Sequence, residues 1–278
     1  MDAVLERLAD EIREAETVVA LTGAGISAPS GVPTFRGDDG VWEHFDEGQF
    51  THGRFQRDPE GFWDDRVALH RELFGEEYEP NVAHEALAEL GRDGHLEAIC
   101  TQNTDGLHLD AAAVVGENGD SSVSDSSADA NVPGSETTVL ELHGNARRVR
   151  CQDCGARTEA GPIYDRAENG ELPPTCDCGG IYKPDVVLFG EQLSGAAIQR
   201  AQSLARESDV FLAIGSSLIV TPAASLPRTA ASSGATVAIV TLEETPLDDV
   251  ADVCCQQDVT DLLPHLQALV TGESSSTE

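Results

Sequence analysis

In 278 residues, 50 acids stand against 17 bases, a formal net charge of −33, and 40% of the residues are hydrophobic. That apolar share excludes global disorder, and the scarcity of Lys and Arg excludes a dedicated nucleic-acid surface and disfavours an acidic membrane surface. The length suits one large α/β domain, alone or with a small satellite.

The first sixteen residues predict an acidic amphipathic helix with Val4, Leu5, Leu8 and Ile12 on one face. They lack the basic start and apolar run of a signal peptide, and no stretch reaches the ~18 apolar residues of a membrane span. A cytoplasmic protein is therefore expected. TVVAL (17–21) reads as a buried parallel strand ending in a glycine-rich turn, 23–37. Residues 38–80, rich in aromatics and charges, read as a small helical insertion. A helix over 83–94 and a strand over 96–100 follow, running into TQNTDGLH. The acidic stretch 116–138 has almost no branched apolar residues and reads as a mobile loop.

Strand 138–142 delivers His143, and a cysteine-bearing module spans about 145–182. Strands over 185–189, 209–215, 235–241 and near 250–255 then alternate with helices over 195–208, around 222–234 and over 258–270. Such alternation predicts a Rossmann-like parallel sheet covered on both faces. The domain plan is a large domain from 1–36, 81–144 and 183–270, with a small domain from the helical module 37–80 and the cysteine module 145–182.

The acid excess has two explanations, mimicry of nucleic acid or adaptation to a salt-rich cytoplasm. Concentrated salt shortens the Debye length to ~3 Å at 1 M, which makes crowded carboxylates tolerable. The chain's only lysine is Lys183, every other base being arginine. Loss of the long apolar lysine stem favours salt adaptation, since salt strengthens hydrophobic association.

Four places carry candidate chemistry. Gly23, Gly25 and Gly31 follow a strand, so backbone amides there can meet a phosphate, although a plain strand-to-helix turn needs the same glycines. Phe35 and Arg36, just beyond, are placed to clamp a dinucleotide. Cys151-x-x-Cys154 and Cys176-x-Cys178 suit one tetrahedral zinc ion. Four thiolates leave no open position for water, so that zinc is structural; disulfides are the alternative, disfavoured in a cytoplasm. Cys100, Cys254 and Cys255 read as core residues. Gln102, Asn103 and Asp105 lie just past a strand's carboxyl end, where α/β sheets bind ligands, though Asn103 or Asp105 equally suits a helix N-cap. His143, after another strand, is either a general base or a satisfied core histidine.

Taken in order, GAGISAPSGVPTFRG (23–37), TQNTDGLH (101–108), ELHG (141–144), the four cysteines, KPDVVLFGE (183–191) and GSSLIVTPA (215–223) resemble the sirtuin (Sir2) family over about residues 1–265. Together with the acidity, the resemblance implies a member from a salt-adapted archaeon. It implies NAD as co-substrate, one structural Zn2+, and acetylated proteins as substrates. Gly23, Ala24, Gly25, Ala28, Phe35, Arg36, Gln102, Asn103, Thr104, Asp105, His143, Gly215, Ser216, Ser217, Thr241 and Leu242 would contact NAD. His143 would be the base toward the ribose hydroxyls, and Asn103 would organise a water at the ribose. Val187, Leu188, Phe189 and Gly190 would pair with the substrate peptide as an added strand and wall the acyl-lysine tunnel. The products would be nicotinamide, free lysine and O-acetyl-ADP-ribose.

The chain departs from the family pattern at Thr104 (usually Ile), Ala28 (often Thr) and Thr241 (usually Asn). Members acting on succinyl- or malonyl-lysine carry a Tyr-x-x-Arg pair in the helical insertion. Residues 62–74 hold no tyrosine to partner Arg66 or Arg71, which favours acetyl or another uncharged acyl group. Alternatives are a mono-ADP-ribosyltransferase on the same fold, a desuccinylase-type enzyme, and a non-catalytic NAD-sensing module.

Overall fold

A computed structural model describes residues 2–35, 40–75, 77–116, 129–131 and 137–272. Helix α1 (Asp2–Glu14) leads into β1 (Val18–Thr22), and then come α2 (His52–Arg57), α3 (Pro59–Phe74) and α4 (Val82–Arg92). Next are β2 (Ala98–Thr101), α5 (Leu107–Gly116), β3 (Asp129–Asn131), β4 (Thr138–Glu141), β5 (Gly144–Cys151), β6 (Arg157–Glu159) and α6 (Ala160–Glu168). The remainder is β7 (Tyr182–Val186), α7 (Gly195–Glu207), β8 (Val210–Ile214), α8 (Leu226–Ser233), β9 (Thr236–Val240), β10 (Val253–Cys255) and α9 (Val259–Thr271). None of these helices is long and apolar enough to cross a membrane.

The larger sheet runs β10-β9-β8-β1-β2-β4-β3, all neighbours parallel except the edge strand β3, which is antiparallel to β4. Its strands are near-continuous apolar runs because both faces are covered. Val18, Ala20, Leu212 and Ile214 face α1, α4 and α9, while Val19, Leu21, Phe211 and Ala213 face α7 and α8. Helix α1 seals its side with Leu5, Leu8, Ala9 and Ile12; the expected Val4 is instead 43% exposed, since the true stripe runs i, i+3, i+4, i+7 from Leu5. Chain order reverses at β1, with β2 on one side and β8 on the other, so a crevice opens at the carboxyl ends of these strands.

The smaller sheet, β6-β5-β7, is antiparallel. It packs with α2, α3 and α6 around Phe50, Phe55, Phe62, Trp63, Val149 and Tyr164, and Trp63 Nε1 donates to the Tyr182 carbonyl at 2.8 Å.

Two further expectations change, and a third falls mostly outside the described residues. The strand expected over 185–189 as part of the parallel alternation is β7, which ends at Val186 and belongs to the smaller sheet. A continuous apolar run cannot say which sheet it joins. Here the next amides go to two different elements, Val187 N–H to the His143 carbonyl and Phe189 N–H to the Phe50 carbonyl. Cys100 and Cys255 are buried as expected, but Cys254 is exposed, because alternate residues of β10 point outward. Of the expected mobile loop, Gly116 ends α5 and 129–131 form β3; residues 117–128 and 132–136 lie outside the described residues.

Candidate active site

At the crevice the glycines let the turn after β1 bond to the end of β8. Gly25 N–H donates to the Gly215 carbonyl at 2.8 Å, and Gly23 N–H to the Ile214 carbonyl at 3.0 Å. A Cβ on Gly23 would lie 2.8 Å from the Gly215 oxygen, and one on Gly215, whose φ is +58°, would lie 2.4 Å from Ile26 N. Only backbones without side chains approach this closely. The turn holding Ala24 and Ala28 is thereby pressed onto the end of β8, with Ser216 buried beside it.

Gln102 and Asn103 leave the end of β2 toward the same point. Gln102 Nε2 donates to Ser216 Oγ at 2.7 Å, tying the two strand ends across the crevice. Asn103 Nδ2 donates to the Gly23 carbonyl at 3.1 Å and to Ser27 Oγ at 3.0 Å. Asp105 accepts Leu107 N–H at 2.9 Å, so it caps the start of α5, and it is not among the residues lining the cavity described below. Burial raises its pKa, against the lowering effects of Leu107 N–H and the Ser27 hydroxyl.

Behind these groups lies a buried polar network that the sequence reading missed. Asn81 N–H donates to His84 Nδ1 at 3.4 Å, leaving Nε2–H to face Ser27 Oγ at 3.3 Å. Ser27 thus accepts from His84 and Asn103 and has its own proton for Asp105. A second arm joins Thr101, Thr22 and His108: Thr22 Oγ1 donates to Thr101 Oγ1 and receives His108 Nε2, both at 2.9 Å. Burial pushes His84 down to about 4 and His108 well below its ordinary value, so both are neutral near pH 7. The signals were Ser27 inside the glycine turn and His84 three residues after the capping Asn81, each readable as local structure alone.

His143 follows β4 at the edge of the crevice. Its Nδ1 lies 3.1 Å from the Gln102 carbonyl, which has no proton to give, so Nδ1 carries the hydrogen and Nε2 keeps a lone pair. Nε2 makes no hydrogen bond among the described residues. Burial lowers the ring's pKa, so the imidazole is neutral and basic at pH 7.

His143 lines a cavity of about 320 Å³ together with Phe35, Gln102 and Thr104 on one side and Val187, Leu188, Phe189 and Gly190 on the other. The remaining wall is mostly apolar, with Trp42, Phe50 and Leu73, but includes the buried guanidinium of Arg66 and also Glu191. Phe35 stacks on Trp42 at 5.7 Å. Ser217 is exposed on the loop after β8, and Thr241 and Leu242 lie past the end of β9, away from the cavity lining. Arg36 lies outside the described residues.

The four cysteines converge. Their Sγ atoms all lie within 4.8 Å of one another, Cys151 to Cys178 at 3.5 Å and Cys154 to Cys176 at 3.8 Å. A tetrahedral zinc with Zn–S bonds of ~2.3 Å sets sulfurs about 3.8 Å apart, so the cluster fits the ion. Backbone N–H groups lower the thiol pKa of Cys151 and bring Cys176 down to about 6, while the neighbouring sulfurs push Cys178 up to about 12.

The Sir2 family model matches residues 23–118 and 130–222, which contain all these groups except Thr22, Thr241 and Leu242. The chain belongs to the Sir2 family. A relative from Haloarcula marismortui, described as an NAD-dependent protein deacetylase, is 50% identical over 264 residues, covering 94% of this chain and 93% of its own. One from Saccharolobus solfataricus, described in the same words, is 40% identical over 263 residues, covering 95% and 96%. Among solved structures, a Sir2 bound to a p53 peptide and NAD+ aligns with a TM-score of 0.78 at 33% identity, over 97% of this chain and 99% of its own. This Sir2 chain is an enzyme, an NAD-dependent protein deacylase with a Rossmann-like sheet and a small cysteine-bearing module.

Proposed function

We propose that the enzyme removes acetyl or other uncharged acyl groups from protein lysines, giving nicotinamide, O-acetyl-ADP-ribose and free lysine. The observation that carries this reading is His143 Nε2, a free base on a mostly apolar cavity that also holds Gln102. NAD, when bound, supplies the ribose carbon that accepts the acyl oxygen and the nicotinamide that leaves. The chain supplies the rest. Gln102 and Ser216 hold the ribose side of the crevice, and Asn103, anchored on Gly23 and Ser27, orients the ribose and a water. Asp105 receives the nicotinamide amide, and His143 takes a proton from a ribose hydroxyl. Gly23, Ala24, Gly25, Ala28, Phe35, Arg36, Thr104, Gly215, Ser217, Thr241 and Leu242 complete the NAD contacts. Val187 to Gly190 receive the acylated peptide, and apolar walls keep water from the reacting carbon. One zinc on Cys151, Cys154, Cys176 and Cys178 holds the small module and takes no part in the chemistry. The acid excess suits a salt-rich cytoplasm and substrates flanked by basic residues.

Incubation with NAD and an acetylated peptide tests the reading. Nicotinamide release should require the peptide. Release without it, accompanied by ADP-ribose on protein, would establish the transferase instead. His143→Ala should lower kcat by about 10²–10⁴. The wild-type rate should fall with acidity only below pH ~6.5, because burial lowers the His143 pKa from that reference. A midpoint above that value rejects the neutral-base assignment.

One observation favours a second reading. Arg66 Nε donates to Tyr164 Oη at 2.9 Å, and no carboxylate pairs with its guanidinium among the described residues. A tyrosine partner does exist, supplied by α6 and not by the helix carrying Arg66. A buried cation on the cavity wall suits an acyl chain ending in a carboxylate. Acetyl peptide should still exceed succinyl peptide at least tenfold in kcat/KM. The opposite order, abolished in Arg66→Met, would establish the dicarboxylic preference.

A further inference from the structure

Lys183, the chain's only lysine, sits directly behind the docking segment and is 6% exposed. Its Nζ donates to the Val186 carbonyl at 2.7 Å, the Pro184 carbonyl at 3.1 Å and Glu191 Oε2 at 3.0 Å. The same carboxylate oxygen accepts Leu188 N–H at 2.9 Å, and Glu191 N–H donates to the Leu188 carbonyl at 2.9 Å. The ion pair therefore closes a loop around residues 186–191, gripping its first carbonyl and its middle amide.

Other elements hold the opposite margin. Val187 N–H goes to the His143 carbonyl at 2.9 Å, Phe189 N–H to the Phe50 carbonyl at 3.3 Å, and His52 N–H to the Phe189 carbonyl at 2.9 Å. No hydrogen bond among the described residues engages the Val187 carbonyl or the backbone of Gly190, and both residues line the cavity. These are the main-chain groups left to an incoming extended peptide. We infer that Lys183 and Glu191 are positioning residues that hold residues 187–190 in the conformation that receives the acylated peptide. The inference rests on the reading that this segment docks the substrate.

The geometry also explains why a lysine persists where every other base is arginine. A tetrahedral ammonium directs three N–H bonds from one atom to three converging oxygens, whereas a planar guanidinium spreads its donors in a fork. Lys183 is buried and Glu191 is a quarter exposed, so salt screens the pair less than a fully exposed one.

The experiment uses full-length, metal-loaded enzyme at molar KCl. Lys183→Met should raise KM for an acetylated peptide about tenfold, as expected for a lost charge-assisted contact network, with KM for NAD within about twofold. Lys183→Arg should show the same split. The double variant Lys183→Met/Glu191→Gln leaves no unpaired buried charge, and it should rise no further than the worse single variant, marking one coupled unit. If Lys183→Met does not fold, the double variant decides. Unchanged peptide KM in the folded variants overturns the inference, as does a parallel loss of peptide and NAD parameters. Val187→Asp, in the docking segment itself, separates the two levels. If it raises peptide KM while the lysine variants do not, the clamp is wrong and the docking stands. If it has no effect, the docking reading fails, and the clamp with it.

Discussion

The seven-stranded sheet is sealed by apolar layers on both faces, whereas the three-stranded sheet has an aromatic layer and, at its far end, four converging thiols. The polar groups that fit the reaction all arise at strand ends of the first sheet: Gln102 and Asn103 after β2, His143 after β4, Ser216 after β8. The smaller region supplies cavity walls such as Phe50 and Val186, with residues 187–190 just beyond β7. A buried sheet gives polar groups at its strand ends a fixed floor, while the small sheet pairs its aromatic cluster with a four-thiol site whose geometry suits a metal. The contrast implies that the two regions can be damaged separately.

Chelation is the largest test, because a structural zinc site contributes on the order of 10–16 kcal/mol to folding of its module. Metal removal from the full chain should abolish peptide-dependent nicotinamide release and lower far-ultraviolet circular dichroism only in part. ADP-ribose binding, measured by calorimetry, should remain. Loss of both functions in one step would show that the regions are not separable.

Gly215→Ala attacks the other region at its narrowest joint. The new Cβ meets Ile26 N at 2.4 Å, and alanine must also hold φ +58°. The expected loss is about 3 kcal/mol or more in urea unfolding, with ADP-ribose affinity falling while the metal content stays constant. A variant with unchanged midpoint would show that the turn and β8 need not touch.

Much of this was legible in the chain. Apolar runs ending in glycine or polar residues located β1, β2, β4, β8 and β9, and the cysteine spacing located the thiol cluster. The registers were not legible. The run at 185–189 looks like one more parallel strand, yet Val187 and Phe189 bond to two different elements beyond the end of β7. The purpose of Gly23, Gly25 and Gly215 was only half visible, because their mutual contact joins positions nearly two hundred residues apart. His84 and His108 were invisible for a related reason. Each lies on an ordinary helix, and only the packing of α4 against α5 sets their rings 4.9 Å apart behind Asn103 and Asp105.

The joint between the regions gives the smallest and most salt-sensitive test. Glu141, at the end of β4, accepts Asn145 Nδ2 at 2.6 Å and pairs with Arg148 of β5, which also reaches Asp185 of β7. Arg157 of β6 completes the chain of charges on Asp185 at 2.8 Å. The Arg148 side chain is 17% exposed and Glu141 6%, against 63% and 34% for the surface pair Arg71–Glu168. Screening acts on the exposed pair far more than on the covered one. Arg148→Met should therefore cost about 1–3 kcal/mol in dilute buffer and keep most of that cost in 2 M KCl, because Glu141 loses a charge-assisted partner out of reach of ions. Arg71→Ala should cost far less than Arg148→Met in dilute buffer, and nothing measurable in salt. Equal salt sensitivity of the two variants in urea unfolding would mean that ions reach the joint. The two sheets would then be held together by apolar contact alone, and the charges at their boundary would be no different from those over the rest of this acidic surface.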